Sequence, residues 1–420
     1  MESKEPKKAK NALKRVKKTL SLSAVGKLSR DALKRSQSID NQLQADKDRK
    51  QNELSLLLLG GACCGKSTFV KQLRIHYGDG FPEEERLQYK NQVHDNVSGA
   101  AHKIINYMHT HDISFEKECM MVQAEEFQRR NPVLDINEIL KTPQPVEERP
   151  AASKGANSLL AMACSELSKR FAILNMKCNG LSLNDQQLLL TFWNDKNFQQ
   201  CYKSGQSKET SPENLTPQEI YFCDNMNRIL SENYVPTHQD ILYIRRPTLG
   251  VIEHVFHVDD LLYRVIDVAG QKSQRKKWIH LFENVTVVLF FVSLSGFDET
   301  LEEDDTLNSL TDSLNTFHDV SHNHYLDKTD FLLFLNKYDL FKEKLKTVQL
   351  KTFLASYDGE NTPDACVKYV RDVFHQHRPC HKQVYTHVSC ATDVEMMSDI
   401  LAKVLNIIAE INCKKSGKLF

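Results

Sequence analysis

At 420 residues, 40% of them hydrophobic and 26% charged, the chain can bury a large core, which excludes an intrinsically disordered protein and suits two domains plus appendages. The formal net charge is zero, but the first 35 residues carry twelve Lys and Arg against three acidic residues, leaving the other 385 at minus nine. Eleven cysteines are scattered without a repeating C-x-x-C pattern, no apolar signal core stands at the N-terminus, and the longest apolar run, Val285 to Leu294, is too short to span a bilayer. A reduced, cytoplasmic protein is expected, with no nucleic acid among its partners.

The chain opens on a lysine-rich stretch, Lys7 to Leu22, in which Leu13, Val16 and Leu20 share one helical face. That pattern suits an anionic membrane surface, where each well-placed basic residue contributes about 1 kcal/mol. A basic tail without fixed structure is the alternative. Residues 28–52 are charged and free of proline and glycine, which predicts a solvent-facing helix.

A short apolar run, Leu56 to Leu59, then leads into Gly60-Gly61-Ala62-Cys63-Cys64-Gly65-Lys66-Ser67-Thr68. This fits G-x-x-x-x-G-K-[ST], in which a glycine-rich turn and the following helix N-terminus aim backbone N–H groups at phosphates. Lys66 is placed to reach the β and γ phosphates and Ser67 to hold magnesium. From Lys66 to Tyr77, the apolar positions Phe69, Val70, Leu73 and Tyr77 recur at helical spacing, so strand, loop and helix follow in the required order. A glycine-rich surface turn is the competing reading of the loop alone.

Between His76 and Gln239 there is no strand alternation, but helical patterns recur over Val93 to Met108, Leu159 to Met176 and Glu219 to Leu230, which predicts an inserted all-helical domain. Within it, Lys141 to Ala156 and Lys203 to Asn214 have loop composition. After Gln239 strands alternate with helices: Val251 to Val258, a turn at Asp259-Asp260, Leu261 to Asp267, Thr286 to Phe291, Phe331 to Asn336 and Val384 to Ser389. A closing helix over Val394 to Ile411 carries one apolar stripe. A mostly parallel sheet covered by helices, with one hairpin, is the economical reading, and nucleotide belongs at the carboxyl ends of its strands.

Asp267-Val268-Ala269-Gly270-Gln271 follows an apolar strand, so a carboxylate stands at a strand end where magnesium needs a charged or water-mediated partner. Gly270 can offer its backbone N–H to the γ-phosphate, and Gln271 stands where a side chain can orient an attacking water. Asn336-Lys337-Tyr338-Asp339 follows another strand, and its Asp can accept both the N1 and N2 hydrogens of guanine, a pair adenine lacks. Ser389-Cys390-Ala391-Thr392 follows the last strand and offers a backbone N–H, assigned to Ala391, to guanine O6. The wrong base would leave buried polar groups unpaired, so GTP is expected over ATP and an ATP-using P-loop kinase is disfavoured.

On these residues the chain resembles the alpha subunits of heterotrimeric G proteins from Leu28 onward. Lys276-Lys277-Trp278-Ile279-His280, Tyr234-Val235-Pro236-Thr237 and the helical insertion match that family rather than the small GTPases. The resemblance implies an α/β fold: a P-loop GTPase domain over 54–76 and 239–420 with a six-stranded, mostly parallel sheet, an inserted all-α helical domain over 77–238, and a basic extension with an N-terminal helix over 1–53. It also implies that Asp240 to Thr248 is switch I, with Leu242 at the nucleotide, Arg245 as the arginine finger and Thr248 joining Ser67 as the second magnesium hydroxyl.

The reaction so implied is in-line attack of a Gln271-oriented water on the γ-phosphorus of GTP. Lys66, Arg245, Mg2+ and backbone N–H groups neutralise the developing charge, and loss of the phosphate releases both switches. Implied partners are a beta-gamma dimer held by switch II and the N-terminal helix, a seven-transmembrane receptor meeting the C-terminal helix, and a downstream effector. The chain is expected to sit peripherally at the inner face of the plasma membrane.

Two loop residues depart from the family. Ala62 replaces a glycine beside the γ-phosphate and the catalytic Gln, and Cys63 replaces a glutamate that pairs with a switch I arginine. These changes predict slow hydrolysis with normal or faster exchange, and they motivate an alternative reading as a nucleotide-loaded signalling scaffold. The tandem thiols have no resolving partner nearby in the sequence and are read as inert. Ala269 takes the place of the first switch II glycine and is expected to be tolerated, while Pro247 stiffens switch I. Met1-Glu2-Ser3 lacks the glycine that myristoylation needs, no cysteine precedes Cys63, and none stands fourth from the end.

Overall fold

The computed structural model describes residues 53–132, 180–205, 215–245, 248–301 and 303–416. The expected basic segment 7–22, the helix over 28–52, the loop over 141–156 and the helix over 159–176 lie outside them. By compactness the chain divides into residues 55–258 with 263–420, which hold both apolar clusters described below, and residues 1–54 with 259–262.

The strands are β1 (Glu53–Gly60), β2 (Val251–Val258), β3 (Leu261–Val268), β4 (Val287–Ser293), β5 (Thr300–Leu301), β6 (Asp304–Asn308), β7 (Asp330–Asn336) and β8 (Val384–Val388). Leu56 to Leu59, Val287 to Val292 and Phe331 to Leu335 are buried without polar alternation, the pattern of strands covered on both faces. They accordingly lie centrally in a sheet of order β2-β3-β1-β4-β7-β8, with β1–β4, β4–β7 and β7–β8 paired in parallel. The register sets Gly60 beside Phe291 and Ser293 beside Asn336, so the loops leaving β1, β4 and β7 emerge along one edge. β5 and β6 form a separate antiparallel ribbon.

Helix α1 (Lys66–Tyr77) starts after Gly65, whose left-handed backbone turns the chain out of the loop. Phe69 packs edge-on against Phe291 and Phe334, with ring centroids 5.2 and 5.1 Å away, and so seats the helix on the sheet. Helix α2 (Glu83–Gln88) buries none of its side chains, and a second buried cluster, apart from the one around the sheet, belongs to α3 (Lys90–Thr110), α4 (Cys119–Arg130), α5 (Leu183–Trp193), α6 (Lys196–Gly205), α7 (Pro217–Asp224), α8 (Met226–Ile229) and α9 (His238–Tyr243). Around the sheet lie α10 (Ser309–Ser321), α11 (Tyr338–Leu345), α12 (Pro363–Gln376) and α13 (Val394–Ser416). Among the described residues no helix is long and apolar enough to cross a membrane.

Several boundaries differ from the sequence reading. Asn225 splits the helix expected over 219–230 into α7 and α8, because it leaves helical geometry and its amide donates to the Tyr221 carbonyl at 2.9 Å. β4 starts after Thr286, whose hydroxyl accepts the Ser55 N–H at 3.0 Å, and runs on to Ser293. Lys203 to Gly205, expected in a loop, close α6, and α13 runs past Ile411 to Ser416. A 3₁₀ helix, Lys272–Leu281, follows Gln271 without a signal in the apolar periodicity.

Candidate active site

The phosphate loop is shaped by close backbone approach. Gly60 has φ +135, and a Cβ there would lie 2.2 Å from the Phe291 carbonyl oxygen. Gly65 has φ +105, and its Cβ would meet Asn336 Nδ2 at 2.1 Å. Between them Cys63 holds a positive φ of 55 and is exposed with Ala62, while Cys64 is buried and donates its thiol to the Gly61 carbonyl at 3.1 Å. The buried Lys66 ammonium donates to the Gly60 and Gly61 carbonyls at 3.0 and 2.6 Å. Thr68 follows Ser67 in the first turn of α1 and is partly buried.

Three predicted residues from distant segments converge beside this loop. Ser67 Oγ donates to Asp267 Oδ2 at 2.6 Å and lies 2.6 Å from Thr248 Oγ1, which is itself 3.2 Å from Asp267 Oδ2. Asp267 is buried, and its Oδ1 has no hydrogen-bond partner among the described residues. Two hydroxyls around a buried carboxylate with an unspent oxygen make an all-oxygen corner, the donor chemistry that magnesium takes. Ser67 and Thr248 would hold the ion directly and Asp267 through its free oxygen.

The segment from Ala269 into the 3₁₀ helix, switch II of the family, is pressed onto the phosphate loop at Gly270, where a Cβ would lie 2.3 Å from the Gly61 oxygen and 2.6 Å from Lys66 Nζ. Gln271 opens the 3₁₀ helix, and its buried Oε1 has no partner among the described residues. Arg275 fixes the segment: its Nε donates to the Gly270 carbonyl at 3.1 Å, and its guanidinium grips Asp312 of α10 with bonds of 3.0 and 2.6 Å. Trp278, buried, donates its indole N–H to the Ala269 carbonyl at 3.0 Å. Arg245 is exposed, and its backbone N–H faces Asn96 Oδ1 at 3.4 Å. Leu242 is 2% exposed, a core side chain of α9 rather than a surface one.

The base-reading candidates are joined by one side chain. Asn336 Nδ2 donates to the Cys64 carbonyl at 2.8 Å, and its Oδ1 accepts from the Ala391 N–H at 3.0 Å and the Ser389 hydroxyl at 3.2 Å. The Ala391 N–H expected at guanine O6 is thus engaged with Asn336. Lys337 takes a left-handed φ of 61, which turns the chain into α11 and leaves Asp339, partly buried, in its first turn. Gln72 of α1 donates to the Ala391 carbonyl at 2.9 Å. Burial raises the pKa of the Cys390 thiol, which keeps it protonated.

The model of the G-protein alpha subunit family matches residues 33–408. The chain belongs to this family. A guanine nucleotide-binding protein subunit alpha of Sporothrix schenckii is 31% identical over 386 residues, 91% of this chain and 96% of the relative. That of Emericella nidulans is 32% identical over 384 residues with the same coverage, and the alpha-1 subunit of Neurospora crassa is 31% identical over 386. As a member of the G-protein alpha family the chain is a GTP-binding, GTP-hydrolysing signalling subunit, built as a P-loop GTPase with a helical domain.

Arg275, Asp312, Gln72 and Lys71 support the site without having been singled out by sequence. Each acts through a bond to a segment distant in the chain, and only the single Arg in the otherwise lysine-rich stretch after Gln271 hints at a bidentate role.

Proposed function

We propose that GTP hydrolysis is carried by Gln271 orienting the attacking water while Lys66 and Arg245 neutralise the γ-phosphate. The convergence of Ser67, Thr248 and Asp267 from three separate segments supports this reading best, since two hydroxyls and a buried carboxylate with an unspent oxygen form an all-oxygen donor set. Magnesium held there would offset negative charge on the β and γ phosphates. Lys66 exchanges its bonds to the Gly60 and Gly61 carbonyls for phosphate oxygens, and the N–H groups of Gly270 and the loop donate to the same phosphate.

On the base side, Asp339 accepts the guanine hydrogens and the Lys337 stem covers the ring, with Asn336 holding the two loops together. The inserted helical unit in this reading spans 77–238. The beta-gamma dimer meets the switch II face, a seven-transmembrane receptor meets α13, an effector reads the GTP state, and residues 7–22 bring the chain to anionic lipid.

The test is to purify the full chain, identify the co-purifying nucleotide and measure single-turnover hydrolysis with and without magnesium. A guanine nucleotide, hydrolysis abolished by chelation, and loss of the magnesium-dependent gain in GTP affinity in Ser67→Ala are expected. Preferential ATP turnover, or hydrolysis indifferent to magnesium, would overturn the reading.

A further inference from the structure

Lys71 stands one helical turn beyond Ser67 on α1, on the same face, because residues four apart are neighbours on a helix. Its Nζ donates to the Ile241 carbonyl at 2.8 Å and the Ile244 carbonyl at 3.4 Å. Both belong to the last turn of α9 and its cap, where carbonyls lack full intrahelical partners and the helix dipole favours a cation. Ile244 directly precedes Arg245.

The other end of α9 is fixed independently. Thr237 and Asp240 form a reciprocal capping box, and Asp240, wholly buried, accepts from Tyr221 at 2.7 Å, Tyr234 at 2.9 Å and the Arg228 guanidinium at 2.8 and 2.7 Å. A six-residue helix is too short to hold itself in water. Its two ends are therefore set by what grips them: the Asp240 network at the start and Lys71 at the finish.

We infer that Lys71 is a positioning residue for Arg245, tying the segment that delivers the arginine to the same helix that carries the magnesium hydroxyl. The inference rests on the proposed role of Arg245. As a whole residue Lys71 is only partly buried, yet burial pulls its ammonium down to about 8, partly opposed by the negative charge of Asp267. A cation kept there against desolvation points to a demand for the two carbonyl bonds.

The experiment is a double-mutant cycle on the full chain, preloaded with GTP and read by single-turnover hydrolysis, with GTP affinity measured in parallel. Lys71→Met keeps the aliphatic stem and removes the donor. It is expected to slow hydrolysis about tenfold to a hundredfold while leaving GTP affinity within about threefold, because misplacement by about 1 Å suffices for such losses. In an Arg245→Ala background the same change is expected to add no further loss, which a merely structural lysine would not satisfy. Full multiplication of the two losses, or an unchanged rate in Lys71→Met, overturns the inference. An unchanged rate in Arg245→Ala alone overturns instead the role of the arginine. If Lys71→Met fails to fold, Lys71→Gln, whose uncharged amide stops one bond short of the two carbonyls, carries the same cycle with the same expected outcomes.

Discussion

The Asn336 side chain donates to the Cys64 carbonyl at 2.8 Å and so joins the loop after β7 to the phosphate loop across 272 positions of sequence. The same amide accepts from Ala391 and Ser389, so three segments meet on one buried residue. The three loops are therefore held by a single bond network.

Asn336→Ala leaves buried partners at Cys64, Ser389 and Ala391 unpaired. Since each such group costs about 1–3 kcal/mol, a destabilisation of about 3 kcal/mol is expected, together with a large loss of GDP affinity. Thermal unfolding with and without GDP measures both, and a wild-type midpoint without nucleotide would show that the amide does not hold the loops.

Gly270→Ala places a methyl 2.3 Å from the Gly61 oxygen, a distance no relaxation of the side chain relieves. The variant is expected to bind GDP within about threefold of wild type but to fail to dock switch II on adding a non-hydrolysable GTP analogue. Trp278 reports this directly, because its indole is bonded to the neighbouring Ala269 carbonyl. A full wild-type fluorescence response in Gly270→Ala would count against the contact.

Ala62→Gly tests the hindrance expected at the loop. Ala62 is exposed and directly follows Gly61, against which Gly270 packs, and the proposed mechanism would bring Gln271 and Arg245 to the phosphate beside that methyl. A single-turnover rate about tenfold faster is expected, equivalent to about 1.4 kcal/mol off the barrier. No change in rate would place the cause of any slow hydrolysis elsewhere.

His94, 2% exposed in α3 and stacked on Tyr234 at 6.3 Å, has its pKa lowered to about 4 by burial, with Lys90 adding to the effect and a backbone hydrogen bond at Ile229 opposing it. The fold favours the neutral ring, so its contribution is complete above the unfolded value near 6.5 and is lost as pH falls from there toward 4. The full span amounts to about 3 kcal/mol. Denaturant midpoints at pH 7.5, 6 and 5 are expected to fall for wild type and to stay flatter for His94→Gln. For Asp240, burial works against the charge but the bonds from Arg228, the Thr237 N–H and the two tyrosines outweigh it and lower the pKa to about 2, so its loss comes only below the carboxylate range.

Much of this architecture was readable because the central strands are continuous apolar runs and the phosphate loop is a contiguous motif. β1, β3, β7, β8 and α1 lie where Leu56 to Leu59, Leu261 to Asp267, Phe331 to Asn336, Val384 to Ser389 and Lys66 to Tyr77 place them to within a residue or a few. The break at Asn225 was not readable, since apolar spacing continues across it while a single amide bond ends the helix. Nor were the grips of Lys71, Gln72 and Arg275, which depend on pairings that no local pattern encodes.

β1 has a folding consequence of its own. Ser55 finds its partner Thr286 only 231 residues later, after the entire helical insertion has been made. At roughly 5–20 residues per second of synthesis, the apolar strand Leu56 to Leu59 waits on the order of 10 to 50 s for the neighbour that covers it. Contacts this distant carry a large loop-closure entropy and make for slow folding. Newly made chains thus hold an apolar strand open throughout that interval, and early burial of the helical cluster does not shield it, because β1 contributes to the other cluster.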